Sequence, residues 1–313
     1  MAVIGAGSFG RHHLRILSKS PNAELAGIVD SNPDHAAAAA AEYACPVYGS
    51  PADLAGKVDA AAVAVPTSAH ADVGCTLLEN GIDVLVEKPI ARDLASGRLL
   101  VETAARHGRI LQVGHLERFN PGVEALKKIV TLPLFFEVHR LSLFSPRSLD
   151  VDVVMDLMIH DLDIVLDLAG TMPEEIRAAG ISILSDKVDI ANVRLAFPGG
   201  CVANLTASRV STERVRKLRL FQPHQYISLD YQKQDAVVFT VSGNQQIGFQ
   251  PLAVAKDEPL RLEIEAFLEA VRNRSRPRAS GEEGLRALEV AVAILGKIEE
   301  HAKVVAQQIQ ALR

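Results

Sequence analysis

Cysteine is scarce in this chain. Cys45, Cys75 and Cys201 are odd in number and scattered, with no C-x-x-C pair, which excludes a disulfide framework and a cysteine zinc site. Long apolar runs are also missing. Stretches such as residues 60–66 fall far short of the roughly 20 residues needed to cross a bilayer, so no transmembrane segment or membrane partner is expected. Nor is there a surplus of positive charge: 33 Lys and Arg stand against 38 Asp and Glu, a net charge of -5, which argues against nucleic acid as a partner. The first strand-like run begins at Ala2, leaving no room for a signal peptide, and its brevity raises the expectation that the native start lies upstream of Met1. A cytoplasmic location is the default. Internal repeats are absent, and the alanine run near residue 40 is the one low-complexity tract.

With 313 residues, 48% of them hydrophobic, the chain is long enough for two domains with substantial cores. Residues 1–117 alternate short apolar strands with helices at the spacing of β-α-β units. Strands are expected at 2–4, 25–29, 60–65, 83–87 and 109–113. Pro33, Ser68 and Asp93 open helices, and Gly81 and Gly108 close two of them. Such a run reads as an α/β, doubly wound parallel sheet covered on both faces. Beyond about residue 135 the texture changes. After one strand and one helix, residues 174–250 read as successive strands joined by hairpin-like turns, which predicts a large open, mainly antiparallel sheet. One face of it packs on a helix and the other is a candidate subunit interface. Helices at 260–273 and 282–312 finish the chain. The predicted domains are thus 1–117 and 118–313, the second an α+β domain whose last helices have the option of packing back on the first.

Gly5-Ala6-Gly7-Ser8-Phe9-Gly10 follows the apolar run Ala2-Val3-Ile4 and precedes a helix pattern, and Asp30 stands twenty residues after Gly10. This is a dinucleotide cradle in its strand–turn–helix–strand–acid context. Gly5 permits the tight turn, Gly7 lets the backbone approach a pyrophosphate, and Gly10 allows the helix close to the sheet. The helix start at Ser8 and Phe9 directs its positive end at the phosphates. Asp30 is placed to accept hydrogen bonds from both hydroxyls of an adenosine ribose and to repel a 2′-phosphate, so NAD is favoured over NADP.

Ligands of open α/β sheets bind beyond the carboxyl ends of the strands, which singles out Pro66, Thr67 and His70, then Glu87, Lys88 and Pro89, and then 112–115. A lysine there, beside a positive nicotinamide ring, is drawn towards acid–base use; a surface lysine is the bland alternative. Farther on, Asp156, His160, Asp163 and Asp167 recur at four, three and four residues. At about 100° per residue they fall within an arc of roughly 60°. Since nearly every other position from 153 to 168 is apolar, that stripe is expected to line an internal cleft, with Asp156 orienting the His160 imidazole. A merely wet helical stripe and, less favoured, a metal site of Asp156, His160 and Asp163 remain as other readings; no metal is required for hydride transfer by a lysine and a histidine.

Taken together, these motifs resemble the glucose–fructose oxidoreductase, inositol dehydrogenase and rhizopine catabolism (Gfo/Idh/MocA) family over essentially the whole chain, with His13 matching beside the glycine motif. The resemblance implies a Rossmann domain followed by an open-sheet domain that builds homodimers or homotetramers. It also implies Lys88, Asp156 and His160 as catalytic residues, and NAD bound by Gly5, Gly7, Ser8, Phe9, Gly10, Asp30, Pro66, Thr67, His70, Glu87 and Lys88. Residues 113–121 and Ser145-Pro146-Arg147 resemble more narrowly the branch that oxidises the 3-hydroxyl of UDP-N-acetylglucosamine. That points to Arg118, Asn120, Arg140, Arg147 and Asp163 as substrate residues, with arginines gripping a diphosphate bidentately. Arg209 and Arg214 are further candidates, although the basic residues of 210–220 also suit a solvated or inter-subunit strand. Where the family commonly has Gly-Gly before the catalytic helix, this chain has 150–153, Asp-Val-Asp-Val, which weakens the transfer of inositol or simple-sugar specificity. The expected activity is NAD-dependent oxidation of a nucleotide-sugar hydroxyl. An inositol or free-sugar dehydrogenase and a non-catalytic NAD-binding regulator are the alternatives.

Overall fold

The computed structural model of the chain describes residues 1–144, 151–241 and 246–311, with side chains through residue 307. Two compact units emerge, Met1–Leu116 with Glu258–Leu288, and Glu117–Asp257 with Glu289–Arg313.

In the first unit β1 (Ala2–Ile4), β2 (Gly27–Val29), β3 (Ala60–Val63), β4 (Asp83–Glu87) and β5 (Leu111–Gly114) pair in parallel in the order β2-β1-β3-β4-β5. Every residue of these strands is buried, which is why they read as largely apolar runs rather than alternating ones, with Asp83, Glu87 and Gln112 as the polar members. The connecting helices are α1 (Gly10–Leu17), α2 (Pro33–Tyr43), α3 (His70–Glu79) and α4 (Leu94–His107). Their ends obey local chemistry. The side chain of Asn32 accepts from the Asp34 amide ahead of α2, that of Asp93 from the Ser96 amide ahead of α4, and Gly108 ends α4 at φ 61°.

Residues 258–288 of the expected second domain group with the first unit, the packing back that the sequence left as an option. Helix α7 (Pro259–Asn273) belongs to the first, because Leu260, Ile264, Phe267 and Leu268 enter the same core cluster as Val3, Leu14, Leu17, Ile28 and Leu85. At roughly 1.5–3 kcal/mol for each large apolar side chain buried, that face strongly favours this packing. Arg274, left-handed at φ 50°, then ties the helix end to the Asp83 carboxylate and the Gly108 carbonyl.

The second unit opens with a 3-10 turn reaching Phe119 and α5 (Pro121–Lys127). Its sheet holds β6 (Phe135–Leu143), β7 (Glu175–Ile181), β8 (Ile190–Ala196), β9 (Val202–Ser211), β10 (Val215–Gln222), β11 (Gln225–Asp230), β12 (Asp235–Val241) and β13 (Ile247–Pro251). The order is β13-β12-β11-β10-β6-β9-β8-β7, antiparallel except for the parallel β6–β9 pair. Strands β12 and β13 complete the run of successive strands expected over residues 174–250. The β13 residues are all exposed, so no buried face marks them. One sheet face carries Phe136, Val138, Leu205, Leu218 and Leu229, all buried. The opposite face bears an aromatic ladder running Phe135–Phe221–Tyr226–Phe239–Phe249, with ring centroids 4.8–5.7 Å apart. Helix α6 (Ile159–Ala169) is preceded by a π-turn at Val154–Met158, and α8 (Gly281–Ala311) ends the described chain. No helix of the described residues is long and apolar enough to cross a membrane.

Candidate functional site

The glycine turn fits a dinucleotide. Gly5 has φ 93° and donates to the Val29 carbonyl at 2.8 Å, while a Cβ on Gly10 would lie 1.8 Å from the Gly5 oxygen, so α1 starts pressed against the turn. Above Gly7 a Cβ would meet nothing within 4 Å, which leaves the backbone approachable, and Ser8 and Phe9 beside it are exposed. Asp30 is fixed rather than waiting. Its Oδ2 accepts from the Ala6 amide at 2.6 Å and its Oδ1 from the Asn32 amide at 2.7 Å. A carboxylate has about four acceptor sites, so ribose hydroxyls still have lone pairs to reach. Pro66 is exposed and Thr67 half-buried just beyond β3, on the ligand-facing end expected for them.

Two of the expected cofactor residues turn inward instead. His70 is 1% exposed, with Nδ1 2.9 Å from the Pro89 carbonyl oxygen and Nε2 3.0 Å from that of Val65, so both ring nitrogens face carbonyl oxygens inside the protein and a neutral ring donates to one of the two. Burial pushes its pKa below the usual value, the neighbouring carbonyls notwithstanding. Glu87 points its carboxylate at His13, whose Nε2 donates at 2.7 Å; His13 is itself 1% exposed. His70 offers neither ring nitrogen outward and Glu87 commits Oε1 to His13, while the inward role of His13 has no sequence signal beyond its place on the first helix. Lys88, between these anchors, is half-buried.

In the second unit Asp156 and His160 are half-buried on the π-turn and the first turn of α6. The π-turn breaks the uniform helical spacing from which the four-residue stripe was drawn. The lower half of the stripe is occupied. Arg118 donates Nε and Nη2 to the two oxygens of Asp163 at 2.7 and 2.8 Å and Nη1 to Asp167 at 3.2 Å, while Lys127 reaches Asp167 at 2.7 Å. Arg140 repeats the pattern on the adjoining acid, with Nε and Nη2 on Asp161 at 2.7 and 2.9 Å and Nη1 on Glu117 at 3.1 Å. Although burial opposes the charge on Arg140, Asp161 and Glu117 outweigh it and hold its pKa above the ordinary arginine value.

These pairs place much of the expected substrate set inside the protein. Arg118, Arg140 and Asp163 are at most 4% exposed, and a guanidinium already engaged bidentately inside the protein has little left for a diphosphate. Asn120, 2% exposed, caps α5 by accepting from the Gly122 amide at 3.0 Å and donates to the Tyr231 carbonyl at 3.0 Å. Arg147 lies outside the described residues. Arg209 donates to Asp189 at 2.8 Å and to the Val188 carbonyl at 3.1 Å. Arg216, which sequence reasoning left on a solvated or interface strand, is different: its side chain is 39% exposed and its Glu117 contact is a loose 4.0 Å. It pairs across the strands with Arg140, and burial together with that neighbouring charge lowers its pKa.

Comparison with known proteins agrees with this architecture. Residues 1–115 match the oxidoreductase family with an NAD-binding Rossmann fold, and residues 140–223 match the GFO/IDH/MocA C-terminal domain. The chain is 36% identical over 303 residues to a UDP-N-acetylglucosamine 3-dehydrogenase of Acidithiobacillus ferrooxidans, covering 95% of this chain and 96% of that protein. A solved structure of UDP-N-acetylglucosamine 3-dehydrogenase GnnA from that organism superposes with a TM-score of 0.91 at 35% identity, covering 96% of this chain and 97% of the other. An inositol 2-dehydrogenase of Rhizobium meliloti is 26% identical, over 96% of this chain and 97% of its own. With the glycine turn, the fixed Asp30 and the open second sheet in place, the chain belongs to the Gfo/Idh/MocA family of NAD-binding oxidoreductases.

Proposed function

We propose that this protein oxidises the 3-hydroxyl of UDP-N-acetylglucosamine with NAD. The observation that carries the reading is the 36% identity over 95% of the chain to a UDP-N-acetylglucosamine 3-dehydrogenase, against 26% to an inositol 2-dehydrogenase over a similar span. NAD is held by the glycine turn and Asp30, and when bound it supplies the acceptor for the hydride that leaves the sugar carbon. In the second unit His160 takes the hydroxyl proton, with Asp156 orienting its imidazole, and in the first unit Lys88 is the acid–base group at the exit of β4. A regulator that only sensed NAD would have no use for this lysine, aspartate and histidine set.

Recognition of the diphosphate falls to Arg216. It is the half-exposed arginine crowded by a like charge and only loosely countered by an acid, so an anion relieves rather than competes. The aromatic ladder, with Phe249 63% and Ile247 72% exposed, supports homo-oligomers formed through the open sheet face. The location is cytoplasmic in this reading.

Lys88→Met and His160→Ala should each lower turnover of UDP-N-acetylglucosamine by roughly 10²- to 10⁴-fold while NAD affinity changes much less. Calorimetry with UDP, UDP-N-acetylglucosamine and inositol, each with NAD present, tests the substrate. Inositol turnover without UDP binding would sink the nucleotide-sugar reading.

A further inference from the structure

Lys88 sits between two residues that are each tied down by a buried histidine. On its amino side, the Glu87 carboxylate meets His13 Nε2 at 2.7 Å, which joins the end of β4 to helix α1 of the glycine turn. The pocket for that carboxylate is made by the facing strand. Glu87 pairs in register with Gly114 of β5, where a Cβ would lie 2.8 Å from Glu87 Oε2 and 3.1 Å from Glu87 Cα. On the carboxyl side, His70 Nδ1 lies 2.9 Å from the Pro89 carbonyl oxygen and Nε2 of the same ring 3.0 Å from that of Val65, so the ring packs between the exits of β4 and β3 and, when neutral, donates to one of the two carbonyls. Both imidazoles are 1% exposed, so water does not compete for these contacts.

We infer that His13 and His70 are positioning residues that hold the backbone of Lys88 in register with the glycine turn and with the Pro66–Thr67 connection. The inference rests on the acid–base role given to Lys88 above. Proton transfer and hydrogen bonding to a reacting oxygen tolerate little displacement, and an error of about 1 Å costs on the order of 10²-fold in rate. A lysine on a free loop end would wander by more than that. Here the residues before and after it are bound to α1 and to the β3 exit, the elements whose ends also face the cofactor. Each histidine is thus explained by a residue adjacent to Lys88 rather than by contact with NAD or sugar.

Amide hydrogen exchange over residues 84–91, read by mass spectrometry on the intact chain, tests the brace without any substrate. His13→Leu and His70→Leu should each speed exchange in that segment by about tenfold or more, with β1 and the second unit unchanged. His13→Gln, whose amide nitrogen reaches where Nε2 stood, should keep most of the protection. Should His13→Leu fail to fold, Gly114→Ala displaces the Glu87 carboxylate with the histidine in place, and should His70→Leu fail, His70→Gln keeps one donor to a single carbonyl; a local loss is expected in each. In turnover of UDP-N-acetylglucosamine with NAD, the Leu variants should lose roughly 10- to 100-fold in kcat, and should cost nothing further in a Lys88→Met background because they act through Lys88. Unaltered exchange over 84–91 in the Leu variants, or an equal loss with and without Lys88, overturns the inference. A Lys88→Met protein with wild-type turnover would instead remove the acid–base role of Lys88 and leave the exchange result standing, so the two readings fail separately.

Discussion

Removing the Arg118 guanidinium should damage stability and leave diphosphate recognition nearly intact. In Arg118→Met the Asp163 carboxylate, 1% exposed, loses both members of a bidentate pair at 2.7 and 2.8 Å, and Asp167 keeps Lys127 at 2.7 Å. Stranding a buried charge in this way costs about 3–5 kcal/mol. With a urea dependence of roughly 2–3 kcal/mol/M, the midpoint of chemical denaturation should fall by about 1–2 M. The double variant Arg118→Met/Asp163→Leu should recover most of the loss, because an apolar pair of similar volume replaces a buried ion pair at little net cost. UDP affinity by calorimetry should stay within about threefold of wild type in Arg118→Met. In Arg216→Ala it should weaken by about 1.5–3 kcal/mol, the range for charge-assisted hydrogen bonds, and the wild-type affinity should fall with added salt. An Arg118→Met protein that keeps its denaturation midpoint but loses UDP would refute this assignment and restore Arg118 as a substrate residue.

Two further outcomes follow from the first unit. The wild type should bind NAD more tightly than NADP; Asp30→Ala should narrow that gap and also weaken both cofactors, since the Ala6 amide loses its acceptor at 2.6 Å, and equal wild-type affinities would contradict this. Phe267→Ala should lower stability by about 3–5 kcal/mol through a cavity in the nucleotide-binding core, although the residue is far from that core in sequence; a loss below about 1 kcal/mol on calorimetric unfolding would show that α7 does not complete it.

The glycine turn is legible in the sequence because its geometry is local. Gly5, Gly10 and Asp30 act through backbone turns within one β-α-β unit, so their spacing carries the geometry. The buried ion pairs of the second unit are not. Arg118 and Arg140 are good diphosphate ligands as residue types, and only the arrival of α6 beneath them, with Asp163 and Asp161 facing their forks, turns both into internal supports. The same applies to His70, whose motif position suggested a ligand until two carbonyls from different strand ends closed on its ring. Arg216 was passed over for the opposite reason: its neighbour Arg140 is reached across strands, a pairing that no local pattern announces.

By itself the sequence determined the parallel first sheet, the dinucleotide turn and the placement of Lys88 beyond a strand end, because apolar runs, glycines and caps act over a few residues. Tertiary structure alone decided that α7 joins the first unit, that β6 pairs in parallel with β9, and which polar side chains face inward. Those outcomes depend on which distant surfaces meet. A buried charge or imidazole takes the nearest available partner, and that partner is chosen by packing rather than by its distance along the chain.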